Sequence, residues 1–411
     1  MQDPQVNDPQ RYFPALYVRD FRLFWFSQLI SLSGTWMHST AQAWLVYSIT
    51  HSPFYLGLIA FLSSFPLMIL TFFGGLIADR YNKRNILLIT QGLSMIPAFV
   101  IAILTQMGII KVWHVGLMAL FLGIINAFDV PARQSYFIEL AGKEQLTNAI
   151  ALNSMAFNIA RVLGPVFAGF IIANFGMSEC FYINSLSFIP VIIVLLMIKK
   201  RAMISDCSLS SIDAIKEGFI FVRHNRPIML IMLMIATFSL FAIPFINLLP
   251  VISTEIFHRQ IDGLSILMAS LGLGSFLGAF ILAFMKKAID KQTFIPLSAI
   301  VFIVSLIIIT FSKYFYLTVI SLVFSGWGIV TYLALSNSFI QERVDDTKRG
   351  RVMSLYVFVF LGLSPIGNLL LGYTADILGT MTALKVFSMS VCIGVLLFTL
   401  KFRRSCEDTC H

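Results

Sequence analysis

The sequence predicts an all-α polytopic membrane protein: twelve transmembrane helices in two pseudo-symmetric six-helix bundles. Three observations carry this reading. Apolar runs of about 20 residues, the length that crosses a bilayer, recur from residue 22 almost to the C-terminus. Lys and Arg gather on alternate connections between those runs. The chain also resembles itself at an offset of about half its length.

The composition supports the first observation. Of 411 residues, 58% are hydrophobic and 39 are Phe, against only 20 Asp plus Glu, too apolar for an ordinary soluble domain. Inside lipid every backbone N–H and C=O needs an internal partner, so the apolar runs are helices. The alternating segments of about 10 residues that mark a membrane β-barrel are missing. The spans are 22–48, 54–78, 85–107, 113–135, 148–173, 178–198, 227–254, 262–285, 293–312, 315–339, 351–373 and 381–400. The opening "MQDPQVNDPQRYFPALYVRD" is polar and Pro-rich without a signal-peptide layout, so the first apolar run is expected to remain as a span.

Charge orients the bundle. Of 29 Lys and Arg residues, only Lys111, Arg161, Arg259, Lys313 and Lys385 fall outside the segments on the N-terminal side. That bias places both termini in the cytoplasm. It also explains the net charge of +9, so nucleic acid is not an expected partner. The longest inner segment, 199–226, contains "SLSSIDAIKEGFIFVRHNRP". Ser210 and Asp213 have capping-box spacing, and Ile212, Ile215, Phe219 and Val222 share a face, so an amphipathic surface helix is expected. The organisation is therefore an N-terminal bundle over 1–198, a cytoplasmic linker over 199–226, and a C-terminal bundle with a short tail over 227–411.

Self-comparison at an offset of about 203 aligns Gly169 with Gly372 and Gly176 with Gly379. It also aligns Gly75 with Gly278 and Lys83-Arg84 with Lys286-Lys287. Two parallel six-span repeats are what alternating access around a central site requires.

One stretch carries a specific resemblance. "GGLIADRYNKRN" (74–85) places Gly75, Asp79, Arg80, Lys83 and Arg84 as in the loop signature of the major facilitator superfamily, with Asn82 in place of the usual second glycine. In the second half Leu282 stands where Asp79 would be matched. The resemblance implies a conformational latch: Asp79 caps the start of the eleventh helix near 350–355, where the helix dipole favours an anion, and Asp129 pairs with Arg80. "FRLFWFSQLISLSGTWMHSTAQAWLVYSIT", "DVPARQSYFIELAGKEQLTNAIALNSMAFNIARVLGPVFAGFII" and "RGRVMSLY" resemble the exporter branch that includes the enterobactin exporter and macrolide efflux proteins. That implies proton-driven antiport of a siderophore or drug-like compound out of the cytoplasm of a bacterium. A lysophospholipid flippase of the same fold is the alternative.

The polar residues inside the spans are the site candidates. Ser31, Thr35, His38 and Gln42 form one stripe on the first span, which must meet a partner helix or a wet cavity. Arg161 lies in the middle of the fifth span with Asn158 on the same face. It is a candidate for holding a substrate carboxylate or phosphate, and a neighbouring acid or carbonyl groups are the other possible partners. His38 and Asp129 are the proton-coupling candidates, since no carboxylate stands in the middle of a span. Gly164, Pro165 and Gly169 are expected to bend and pack the fifth helix. Cys406, Cys410 and His411 make too sparse a set for a metal site. No cofactor is expected, and no enzyme, since HExxH and GxSxG are absent and the six histidines are scattered. The expected partners are a small-molecule substrate, anionic if Arg161 receives it, and membrane lipid, with the protein acting as a monomer.

Overall fold

The computed structural model describes residues 13–198, 219–284 and 290–407. Among them are twelve long helices. The first six are α1 (Arg19–Thr50), α2 (Pro53–Arg80), α3 (Lys83–Gln106), α4 (Val112–Ala141), α5 (Leu146–Asn174) and α6 (Met177–Met197). The second six are α7 (Arg226–Ile256), α8 (Ile261–Phe284), α9 (Lys291–Phe311), α10 (Phe315–Arg343), α11 (Asp346–Leu378) and α12 (Thr380–Glu407). Eleven are long and apolar enough to cross a membrane. The exception is α1, which is long enough but carries Ser, Thr, Gln and His along its length.

Most of these helices extend a few residues beyond the apolar runs, because backbone hydrogen bonding continues past the hydrophobic stretch. Their outward faces are apolar, as with Phe170, Leu196 and Met389, which suits contact with hydrocarbon. The seventh helix departs from the expected single span. It is α-helical to Thr237, becomes a π-turn over Phe238–Ala242 and a 3₁₀ segment over Ile243–Leu248, then ends in a second π-turn over Ile252–Ile256. Pro244 and Pro250 lie in this stretch, and each removes a backbone donor that a regular helix needs.

The internal repeat has a structural counterpart. Gly176 and Gly379 both turn the chain with φ of 117° and 82°, joining α5 to α6 and α11 to α12. This backbone region favours glycine. Gly169 and Gly372 lie at the two seams between halves. A Cβ on Gly169 would stand 2.3 Å from Ser265 Oγ of α8, and one on Gly372 would stand 2.9 Å from Gly57 Cα of α2. The halves therefore meet along α5–α8 and α2–α11.

Lys286 and Lys287, aligned with Lys83 and Arg84 by the repeat, lie outside the described residues. Lys291 is the first residue of α9, as Lys83 is of α3. Lys83 pairs with Glu139 at 3.5 Å, and Lys291 with Glu342. An ion pair thus joins the start of the third helix to the end of the fourth in each half.

Of the expected linker helix, Ser210, Ile212, Asp213 and Ile215 lie outside the described residues, as do Cys410 and His411. Residues 219–224 are helical. Phe219 is exposed and Val222 is buried, so the two do not share one environment. The neighbouring Phe221 packs against the main hydrophobic core and receives Lys348 Nζ of α11 over its ring, at 5.1 Å.

Candidate functional site

The site is a cavity of about 260 Å³ between the two halves. It is walled by Trp36, Ser39 and Gln42 of α1, Leu56, Ile59 and Ser63 of α2, Ile243, Ile246 and Asn247 of α7, Met268 of α8, and Ser364 and Asn368 of α11. Its chemistry is neutral, with amides and hydroxyls set among aliphatic side chains. A larger hollow of about 600 Å³, bordered by Asp290, Lys291, Glu342 and Arg343, draws its walls from α8, α9 with its N-cap Asp290, and α10. A hollow within one half cannot be exposed alternately by motion between halves, so the seam cavity is the transport candidate.

The rotation of α1 decides which of its polar residues reach this cavity. Gln42 does, and so do Trp36 and Ser39, which the stripe analysis missed. Ser31 and His38 are buried instead. His38 lies edge-on to Phe181 of α6, with ring centroids 4.9 Å apart. Its Nε2 donates to Gln42 Oε1 at 3.1 Å, and its Nδ1 is buried without a hydrogen-bond partner. Thr35 is half-buried and donates to the Ser31 carbonyl at 2.9 Å. Ser31, Thr35 and His38 are thus not among the cavity's lining residues. The expected stripe is split, because α6 takes the half of it that α1 turns away from the seam.

On α5, Asn158 is buried and donates to the Ser154 carbonyl of its own helix at 2.8 Å. Arg161 stands one turn further along, with its Cζ 5.4 Å from the centroid of the Trp36 ring. Trp36 also meets Phe157 edge-on at 5.5 Å. Gly164 makes this corner possible: a Cβ there would stand 2.4 Å from Trp36 Cβ and 2.7 Å from the Met37 backbone nitrogen. Pro165 follows inside the helix without ending it.

Asn247 and Asn368 are further polar groups that sequence reasoning did not single out. Asn247 Nδ2 donates to Asn368 Oδ1 at 2.9 Å. The signal for Asn247 was present, since it is an amide between two prolines in an otherwise apolar span. Asn368 sits in "LSPIGNLLLG", where Pro365 and Gly367 draw the attention first.

The two faces of the bundle differ. On the face where the basic connections lie, Asp79 and Arg80 are exposed. A Cβ on Gly75, or on Gly350 near the start of α11, would meet nothing within 4 Å. The expected Arg80–Asp129 pair is not formed. Asp129 is buried, accepts from Thr90 Oγ1 at 2.7 Å and Gln91 Nε2 at 2.8 Å, and pairs with Arg133 at 3.3 Å. Arg133 lies one turn along the same helix and reaches the carboxylate, whereas Arg80 points into solvent. Arg84 donates instead to the Leu195 and Leu196 carbonyls at the end of α6.

On the opposite face the halves are tied together. Tyr47 donates to Glu255 Oε1 at 2.7 Å, and Ser52 donates to Asp376 Oδ1 at 2.6 Å. The Gly57–Gly372 contact lies just inside the second bond.

Residues 12–409 match the family described as transmembrane secretion effector, within the major facilitator superfamily. The staphyloferrin A transporter of Staphylococcus aureus is 27% identical over 403 residues, covering 95% of this chain and 99% of the relative. Macrolide efflux protein A of Streptococcus pyogenes is 22% identical, covering 87% and 90%. Enterobactin exporter EntS of Citrobacter koseri is 20% identical, covering 92% and 91%. Among solved structures, a bacterial homologue of the human lysosomal transporter Spinster superposes with a TM-score of 0.75 at 13% identity, covering 96% of this chain and 98% of the other. That likeness shows the fold.

Proposed function

The chain belongs to the transmembrane secretion effector family of major facilitator transporters, and on that premise we propose that it exports a small molecule by alternating access through the seam cavity. The basic face is cytoplasmic, following the positive-inside bias. In this conformation the cavity is shut toward the outside, and the loop with Asp79 and Arg80 is disengaged. Substrate enters from the cytoplasm and meets Trp36, Ser39, Gln42, Asn247 and Asn368. The halves then rock about the α5–α8 and α2–α11 seams. The Tyr47–Glu255 and Ser52–Asp376 bonds part, and Asp79 approaches the positive end of α11.

One observation carries this reading: the cavity is built from both halves, and the ties between them lie on the side opposite the basic loops. The drive is inward proton flow, as the resemblance to the exporter branch implies. Asp129 is its candidate carrier, because protonation would break its ion pair with Arg133. His38 is the second candidate, though its ring is packed behind the cavity wall. Relatives that bear the names of a staphyloferrin transporter, a macrolide efflux protein and an enterobactin exporter favour a siderophore or drug-like cargo over a lysophospholipid.

The test is a reversible lock. With cysteines at positions 52 and 376, oxidation must stop release of whichever compound disappears from the medium when the chain is deleted, and reduction must restore it. Undiminished release from the oxidised, cross-linked protein would refute alternating access at this seam.

A further inference from the structure

Arg161 is a cation at the junction of the two halves. A Cβ on Gly272 of α8 would meet the Arg161 carbonyl oxygen at 2.6 Å, so α5 and α8 cross at this residue. Its guanidinium lies against Trp36, a cavity wall residue. Among the described residues it makes no hydrogen bond and no ion pair. The nearest carboxylates in sequence lie off the two ends of α5: Glu144 in the turn before it, and Glu179 at the start of α6, where it accepts from Ser178. Asp129 is engaged by Thr90, Gln91 and Arg133, and Glu139 by Lys83. No carboxylate lines the cavity.

This arrangement is incomplete without a ligand. A ring beside a guanidinium offsets part of its charge, but it is no hydrogen-bond acceptor for the five N–H donors. Leaving such donors unmet in a partly buried place is costly. Their fork matches the two oxygens of a carboxylate or phosphate. Arg161 is not itself a lining residue and adjoins the cavity through Trp36; the cavity offers amides and hydroxyls, suited to the uncharged polar parts of a molecule.

Resting on the export reading above, we infer that the cargo carries an oxyanion, carboxylate or phosphate, which docks edge-on to Arg161 beside Trp36 while its neutral body fills the space toward Gln42, Asn247 and Asn368. Because Arg161 stands at the α5–α8 crossing, the anion is gripped at the pivot and stays in reach as the halves rock.

The experiment compares cells carrying the full chain, cells lacking it, and cells carrying Arg161→Gln or Arg161→Lys at matched membrane abundance. Spent medium and lipid extract are each fractionated by anion exchange at pH 7 and analysed by mass. The compound lost on deletion is expected to bind the exchanger. Its export should fall about tenfold or more in Arg161→Gln, the factor that loss of one charge-assisted contact brings. Arg161→Lys should fall between, keeping the charge but not the fork. Recovery from the medium identifies a soluble anion, and recovery from the lipid extract identifies a headgroup. A lost compound that is neutral or cationic, or full export by Arg161→Gln, overturns the inference while leaving export intact. If no compound is lost on deletion, the export reading falls and takes this inference with it. Should Arg161→Gln fail to reach the membrane, the charge of the lost compound and the Arg161→Lys result decide.

Discussion

The first helices of the two halves, α1 and α7, occupy corresponding places in the repeat and contribute to the same cavity by different means. α1 is continuous over 32 residues and presents Trp36, Ser39 and Gln42 from an unbroken backbone. α7 is interrupted by two π-turns and a 3₁₀ segment, and its cavity residues, Ile243, Ile246, Asn247 and Pro250, fall in or beside the irregular part. Irregular helical turns free backbone groups and concentrate at functional places. One side of the cavity is therefore a continuous polar rail and the other an irregular helix, apolar except for Asn247. The two halves share the position of the helix and not its continuity.

Several substitutions would break or sharpen this contrast. The largest effect is expected at the rail's support. Gly164→Leu would drive a branched side chain into the backbone at Trp36 and Met37, separating α1 from α5. Overpacking of this kind costs about 1–3 kcal/mol, so thermal unfolding in detergent should move to lower temperature and export should cease. On the irregular side, Pro244→Ala with Pro250→Ala restores two helix donors. Hydrogen exchange over 238–256 should slow, and export should drop several-fold without loss of stability. If exchange there is unchanged, the prolines are not the cause of the irregularity.

Smaller effects follow for single polar groups. Gln42→Leu removes the partner of His38 and one cavity amide. Loss of an ordinary hydrogen bond costs about 1 kcal/mol, so export should fall a few-fold with the fold retained, measured as release of the compound against membrane abundance. Tyr47→Phe removes the hydroxyl that binds Glu255 at the closed face. A change of about 1 kcal/mol shifts a two-state equilibrium roughly fivefold. Distances between spin labels across that face should lengthen, and those across the basic face should shorten. Labels that report no shift would show that the seam glycines, not the Tyr47 bond, hold the face shut.

Much of the architecture was legible before any coordinates. Apolar length, the charge bias and the spaced glycines are local or statistical properties, and a helix in lipid has few alternatives. Gly169 with Gly372 and Gly176 with Gly379 were matched by offset alone, and the structure shows each pair in one structural setting. The 74–85 loop was legible as a motif, although its conformation here is disengaged.

The candidate site was legible only in part. Successive residues on a helix differ by about 100° in direction, and inside a membrane the face toward lipid and the face toward a neighbour are both apolar. Hydropathy therefore counts the spans but does not set their rotation. That rotation turned His38 toward α6, left Ser31 buried, and brought Trp36 and Ser39 to the cavity. Likewise the sequence determined that Asp129 and Arg161 are ionisable groups within spans. Only the packing of α3, α4, α5 and α8 decided that Asp129 is satisfied and that Arg161 has no hydrogen-bond or ion-pair partner among the described residues, because a partner for a buried charge must come from whichever helix lies beside it.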